Sequence, residues 1–295
     1  MTVLNTPNDG SFNVLMVLFR ALKELGPIED EQLRAYCGAG LNEQPERLRH
    51  TLNRWCVLGL FQIKDEKVHL GEGLAFRGDK EASPSELAAL VRRLVFKDAN
   101  NEAFWDSEKS KCADLTRGLA WLMAQDIYKV RLGDTAATQS LESEQLADAE
   151  HRIVQNNVRL EALRVWGLAL GFLWNAEAPV IDPTGAIGDE LDLIFGESSE
   201  LTAAQLQTRI ATIFPVMDGG RYRLEMEKAL NPATRSSASE EILSTSLSRA
   251  LWRLNDDGRL ALEHRSDAGD VRVLQGANGQ PWMTFTHARK VRSVA

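Results

Sequence analysis

Apolar side chains recur at helical spacing from the head of the chain. Leu15, Phe19 and Leu22 share one face of a helix that Ser11 can cap and that Gly26-Pro27 can stop. A short helix, "EDEQLRAYC", is closed by the turn "GAGLN", and Asn42 can then cap a third helix that tolerates Pro45 in its first turn. Leu48, Leu52 and Trp55 fall on one side of that helix. Beyond Gly59 the period drops to two in "LFQIKDEKVHL", whose "KDEK" centre can turn, and this predicts a hairpin. Helix, helix, turn, helix and hairpin over residues 1–76 is the order of a winged helix-turn-helix.

The stretch "RGDKEASPS" (77–85) reads as a linker whose Ser83-Pro84 opens another helix. Helical periodicity then dominates to residue 234, with helices expected over 84–97, 110–125, 141–154, 157–175, 184–195, 202–214 and 218–230. Apolar residues nearly encircle the second half of 157–175, which predicts a buried central helix. The last segment repeats the first in outline. Ser239 can cap "EEILSTSLSRALWRLNDDG", Leu243, Leu247, Ala250 and Leu254 share a face, Gly258 ends the helix, and "RLALEHR", "VRVLQ" and "PWMTFTH" read as strands. The expected fold is mainly α with small β wings. It places winged helices at 1–76 and 235–295, on either side of a helical middle domain, 77–234.

Charge constrains function more than composition does. The formal net charge is −8, against a coat protein for nucleic acid, but it is unevenly spread. Residues 81–234 carry 15 basic and 24 acidic side chains, whereas 1–80 carry 10 and 11, and 235–295 carry 9 and 7. Cys37, Cys56 and Cys112 are odd in number and lack metal-type spacing, which points to a reducing compartment. No secretory signal pattern opens the sequence, and the apolar run "VWGLALGFLWN" is too short for a bilayer, so a cytoplasmic protein without a membrane partner is expected.

On the third helix, with Leu48 marking the buried direction, Arg47, His50, Asn53 and Arg54 fall on the opposite arc and Arg49 on its flank. A recognition helix uses such a face to reach base edges, and Lys64 and Lys67 near the hairpin tip would then meet phosphates. A solvated or protein-binding face accounts for the same residues. In the second copy Arg249 points outward and Arg253 sideways, and the tail "HARKVRSVA" adds Arg289, Lys290 and Arg292 for phosphate contact or as a frayed end. Trp252, almost opposite Leu243, is either packed on a neighbour or an anchor for a protein.

Catalytic signatures are missing: the sequence has no phosphate loop, GxGxxG, HExxH, CxxC or EF-hand loop, and its five histidines are scattered. "DEK" at 65–67 matches a fragment of metal-dependent nucleases but lacks an acidic partner strand, and Asp189, Glu190 and Asp192 are accounted for by a helix start. No enzyme, cofactor or metal site is expected.

The opening "VLNTPNDGSFNVLMVLFRAL" resembles the start of DpdG proteins, and "RVWGLALGFLW…VIDPTGAI" is similar to the buried helix and Asp-Pro-Thr segment of that group. The resemblance covers about the first 75 residues and 160–190. It implies an accessory component of bacterial gene clusters that insert 7-deazaguanine bases into DNA and restrict foreign DNA, and it implies no catalytic residues. Two functions stay open. One is a DNA-binding or DNA-sensing subunit that contacts double-stranded DNA and other subunits of an antiviral defence system. The other is a tandem winged-helix, kite-like interaction subunit without DNA readout. A homodimer is compatible with either.

Overall fold

The computed structural model describes residues 3–5, 12–38, 45–74, 82–106, 109–234, 241–266 and 269–291. The expected caps Ser11, Asn42 and Ser239, most of the "GAGLN" turn, the start of the expected linker and Arg292 lie outside the described residues. The described chain is mainly helical with small antiparallel sheets, and it divides into two compact units, 1–115 with 157–170, and 116–156 with 171–295.

The first unit begins with α1 (Phe12–Leu25), strand β1 (Ile28–Glu29), α2 (Asp30–Gly38) and α3 (Pro45–Leu58), then the hairpin β2 (Phe61–Lys64) and β3 (Lys67–Leu70). The apolar stripe of α1 buries Leu15, Phe19 and Leu22 together with Leu33 of α2 and Leu48, Leu52 and Trp55 of α3. The sheet has the order β1-β3-β2, with Ile28 opposite Val68 and Ile63 opposite Val68 on its other side. Helix α4 (Pro84–Val95) is capped by Ser83, whose hydroxyl accepts from the Glu86 amide at 3.1 Å with Pro84 in the first turn, as the sequence predicts. Buried Glu86 pairs with Lys23 of α1 at 2.8 Å, a charge bridge that fixes α4 against α1.

Helix α5 (Ala113–Met123) carries the chain into the second unit, where α6 (Thr135–Gln145) follows, and α7 (Asn157–Ala169) returns to the first. Trp166 of α7 meets Trp55 at 5.6 Å and Phe12 edge-on at 6.3 Å, so α7 completes the core of α1 and α3. The long central helix expected over 157–175 ends early, and Val158, Val165 and Trp174 are exposed. The reason is a close backbone approach. Gly171 has φ +77°, and a Cβ there would sit 2.6 Å from the Ala186 amide, which donates to the Gly171 carbonyl at 2.9 Å. The apolar run therefore turns into a strand instead of continuing as helix.

The second unit continues with β4 (Leu173–Trp174), β5 (Val180–Ile181), α8 (Thr184–Asp189), α9 (Leu191–Phe195), β6 (Glu200–Thr202), α10 (Ala203–Ile213), α11 (Arg221–Ala229), α12 (Thr245–Asp256), β7 (Leu260–Glu263), β8 (Arg272–Gln275), β9 (Pro281–Phe285) and β10 (His287–Lys290). Thr202 and Gln205 form a reciprocal capping box at the start of α10. The sheet order is β6-β10-β7, with Ala288 opposite Leu201 and Leu262, while β8 pairs with β9 and its Val273 also bridges Ile242.

The two units share a topology. In each, a short strand runs directly into a helix, a later helix ends at a glycine with positive φ, a strand comes next, and the last strand lies between the other two. The amide five residues after Trp55 donates back to its carbonyl at 2.9 Å, and the amide five residues after Leu254 does the same at 2.9 Å. The expected second copy at 235–295 thus also includes β6 and α10, and the expected hairpin after Gly258 is split by the inserted pair β8–β9. The expected middle segment 77–234 is shared between the two units.

Candidate nucleic-acid interface

Helix α3 shows one narrow outward stripe. Glu46, Arg49, His50, Asn53 and Val57 are exposed, and Arg47 is half-buried beside them. At about 100° per residue the buried set Leu48, Thr51, Leu52, Arg54, Trp55 and Leu58 centres near Trp55. Leu48 therefore lies toward one edge of the buried arc, and taking it as the centre rotates the expected face. The correction falls on Arg54, which is only 6% exposed, and on Arg49, which belongs to the outward stripe. The buried Thr51 hydroxyl, which donates to the Arg47 carbonyl at 2.8 Å, is the signal that was missed, because a threonine in a polar run does not look like core. Arg49 pairs with Glu46 at 2.5 Å, and His50 Nε2 lies 3.5 Å from the same carboxylate. These are solvent-screened pairs that can open toward a phosphate at little cost.

The hairpin tip carries Lys64 and Lys67, both exposed, on either side of Asp65 (φ 52°) and Glu66 (φ 62°). Two successive positive φ values define a tight two-residue turn that matches the twist of the flanking strands. The "DEK" fragment is this turn, and among the described residues no group of three or more His, Cys, Asp or Glu side chains could hold a metal ion.

Helix α12 differs in use. Its arginines converge on Asp182, whose carboxylate is buried just after β5: Arg249 Nε donates at 3.0 Å, Arg253 Nη1 donates to the same oxygen, and the Thr184 amide donates at 3.1 Å. Burial alone would raise the Asp182 carboxyl, but hydrogen bonds from Thr184, Arg249 and Arg253 outweigh it and hold the group below the usual carboxylate range. The guanidinium groups expected to reach DNA are thus first of all structural partners of an internal charge. Strand β8 covers the start of the helix: the Gln275 amide donates to the Ser248 hydroxyl at 3.0 Å, and its side-chain amide donates to the carbonyl of Leu243, just before the helix, at 2.6 Å.

A family model of DpdG-like proteins matches residues 1–268. The chain belongs to the DpdG-like family. Membership associates it with DNA-modification gene clusters. The match runs through both units, well past the two segments that carry the resemblance in the sequence. No curated protein and no solved structure matches the chain.

In this DpdG-like protein the described part of the basic tail is built into the fold. Residues 287–290 form β10 at the centre of its sheet, where Arg289 pairs with Glu263 at 3.1 Å and Lys290 pairs with Asp192. Neither is a dangling cation, and the sequence hides this because the alternation of Ala288 with its polar neighbours is too short a strand pattern to stand out. Arg265 joins the same network through Glu200 at 2.5 Å and Glu263 at 3.0 Å, and its hydrogen bonds hold both carboxylates below their usual range. The three cysteines are reduced thiols. Burial pushes Cys37 up to about 11, and burial with the nearby Asp30 carboxylate does the same to Cys56, so both stay protonated and poorly nucleophilic at neutral pH. Among the described residues no helix is long and apolar enough to cross a membrane.

Proposed function

We propose that this protein is a DNA-binding or DNA-sensing accessory subunit of a bacterial DNA-modification and defence system, with the first unit acting as a winged helix on duplex DNA. The observation that carries this reading is the stripe of α3, where Arg49, His50 and Asn53 stand outward with Arg47 at the edge, next to a two-residue turn flanked by Lys64 and Lys67. A helix that presents arginine and asparagine can read guanine and adenine edges in a major groove, while a lysine-bearing wing meets the backbone. The family's association with DNA-modification clusters supports the same direction. Arg47, Arg49, His50, Asn53, Lys64 and Lys67 are the residues proposed to meet DNA. Arg249, Arg253, Arg289 and Lys290 have internal partners and are left out of duplex contact.

The test is duplex binding by the full chain across a salt series. Phosphate contacts make log K fall linearly with log salt by about 0.9 per contact. The reading is overturned if the protein fails to bind duplex even at low salt. A kite-like interaction subunit without DNA readout would then lead, a reading favoured by the net charge of −8 and by the covering of α12 by β8. No catalysis is assigned to the chain. Metal-dependent cleavage of DNA by the pure protein, abolished by Asp65→Ala, would count against that.

A further inference from the structure

The inserted hairpin β8–β9 brings an indole to the outward side of α12. Trp282 of β9 and Trp252 of α12 have ring centroids 5.8 Å apart, and Tyr128 stands edge-on to Trp282 at 6.2 Å. Their exposures, 42%, 40% and 40%, are those of a surface and not of a core. The cluster is nevertheless built. Trp282 lies directly over Gly276, where a Cβ would fall 2.0 Å from its Nε1, so the glycine supplies the seat of the ring. The turn bearing Tyr128 is pinned by the Ile127 amide, which donates to the Thr245 hydroxyl at 3.1 Å, and by that hydroxyl donating to the Gln125 carbonyl at 3.2 Å.

Cations border the rings. Arg249 precedes Trp252 by one turn of α12 and acts electrostatically on the Tyr128 hydroxyl against Asp126, itself paired with Lys129 at 3.1 Å, and Arg253 lies 5.6 Å over the exposed ring of Trp174. Arg249 commits its Nε and Arg253 its Nη1 to Asp182, which leaves each guanidinium with further N–H donors on side chains 30% and 36% exposed. Two arginines on one buried carboxylate leave a net positive charge at this face of an acidic protein. Held rings beside held guanidinium groups match a strand of unpaired nucleotides, whose bases need π-faces and whose phosphates need fixed donors.

We propose that Tyr128, Trp252 and Trp282 form a stacking platform for unpaired bases of single-stranded DNA, with Arg249 and Arg253 meeting its phosphates. The platform belongs to the second unit and is independent of duplex binding by α3.

The experiment measures binding of labelled oligothymidylate, and of an abasic strand of the same length, to the full chain at low salt. Expected is a loss of about tenfold for Trp282→Ala and again for Trp252→Ala, with Trp282→Phe keeping most of the affinity. The abasic strand should bind wild type about tenfold more weakly than oligothymidylate, and Trp282→Ala should weaken it little further. Arg47→Ala with Arg49→Ala should leave both strands unaffected, which separates this site from α3. The proposal is overturned if the abasic strand binds as tightly as oligothymidylate, or if both tryptophan variants bind like wild type. It is also overturned if wild type ignores both strands but self-associates through Trp252, which would make the cluster a protein contact.

Discussion

Aligned on the glycines that end them, Gly59 and Gly258, α3 and α12 are the same helix put to two uses. Asn53 at the centre of the outward stripe of α3 corresponds to Trp252, His50 to Arg249, and Arg49 to Ser248. On α3 the stripe is polar and open. On α12 the hairpin inserted between β7 and β10 binds Ser248 through the Gln275 amide and sets Trp282 against Trp252. A helix must be bare along its length to enter a major groove about 12 Å wide. The first unit keeps that option, and the second gives it up for an aromatic surface. One topology thus carries two faces, and the hairpin inserted after the second helix decides the chemistry of its face.

The comparison breaks most visibly if the helices do not share a buried side. Leu52 and Leu251 occupy equivalent positions, and each is 1% exposed. Truncation of either to alanine should cost about 2–5 kcal/mol in denaturant unfolding. A large loss at one and none at the other would show that the alignment is offset. Next in size is Asp182→Ala, which strands Arg249 and Arg253 without their carboxylate. Removing one partner of a buried pair costs about 3–5 kcal/mol, and the part-exposed guanidinium groups place this case at the lower end. The depressed carboxyl sets the sign with pH. Its contribution is complete above the unfolded value of about 4 and is lost as pH falls through the folded one. Unfolding midpoints of Asp182→Asn should therefore be flatter than wild type on acidification below that value, and a parallel slope would count against the pair.

Much of this architecture was readable from periodicity. The α1–α3 core, the hairpin after Gly59 and the cap at Ser83 obey local rules that the tertiary structure does not override. The features that escaped depend on distant residues. The stop of α7 is imposed by the close approach of Gly171 to Ala186, fifteen positions away, and nothing local to "VWGLALGFLW" encodes it. The strand β6 belongs to the second sheet although α10, α11 and α12 lie between it and β7 in the chain. The site residues divided the same way. The sequence hides the partner of Arg249 and Arg253 because Asp182 is far away in the chain, and it hides the burial of Arg54 because Leu48 lies at the edge, not the centre, of the buried arc.

The two faces are separated functionally by Arg49→Ala with Asn53→Ala on α3, compared with Arg249→Ala on α12. The first should weaken duplex binding and leave folding within about 0.5 kcal/mol of wild type, because both side chains are exposed. A base contact would cost about 1–3 kcal/mol at particular positions of a site, and a lost phosphate contact would flatten the salt slope by about one unit. Arg249→Ala should leave the duplex isotherm unchanged while lowering stability through Asp182. Equal loss of duplex affinity from both helices would dissolve the contrast between the units.

The smallest effect is expected at the hairpin tip, the place where the second unit has its insertion instead. Glu66 holds φ 62°, a conformation that costs a side chain with a Cβ about 1–2 kcal/mol. Glu66→Gly removes that strain and returns about 0.4–1 kcal/mol of it to the more flexible unfolded chain. The net gain should be about 0.5 kcal/mol, visible as a small rise in the unfolding midpoint. The same change deletes the acidic group between Lys64 and Lys67, so a wing that touches phosphate should also bind duplex somewhat more tightly at low salt. Glycine in place of Glu66 thus reads strain and contact at once. A stabilised variant with unchanged duplex affinity would take the hairpin out of the interface and leave α3 to bind alone, whereas a destabilised one would mean that the turn is not the tight two-residue form its backbone angles describe.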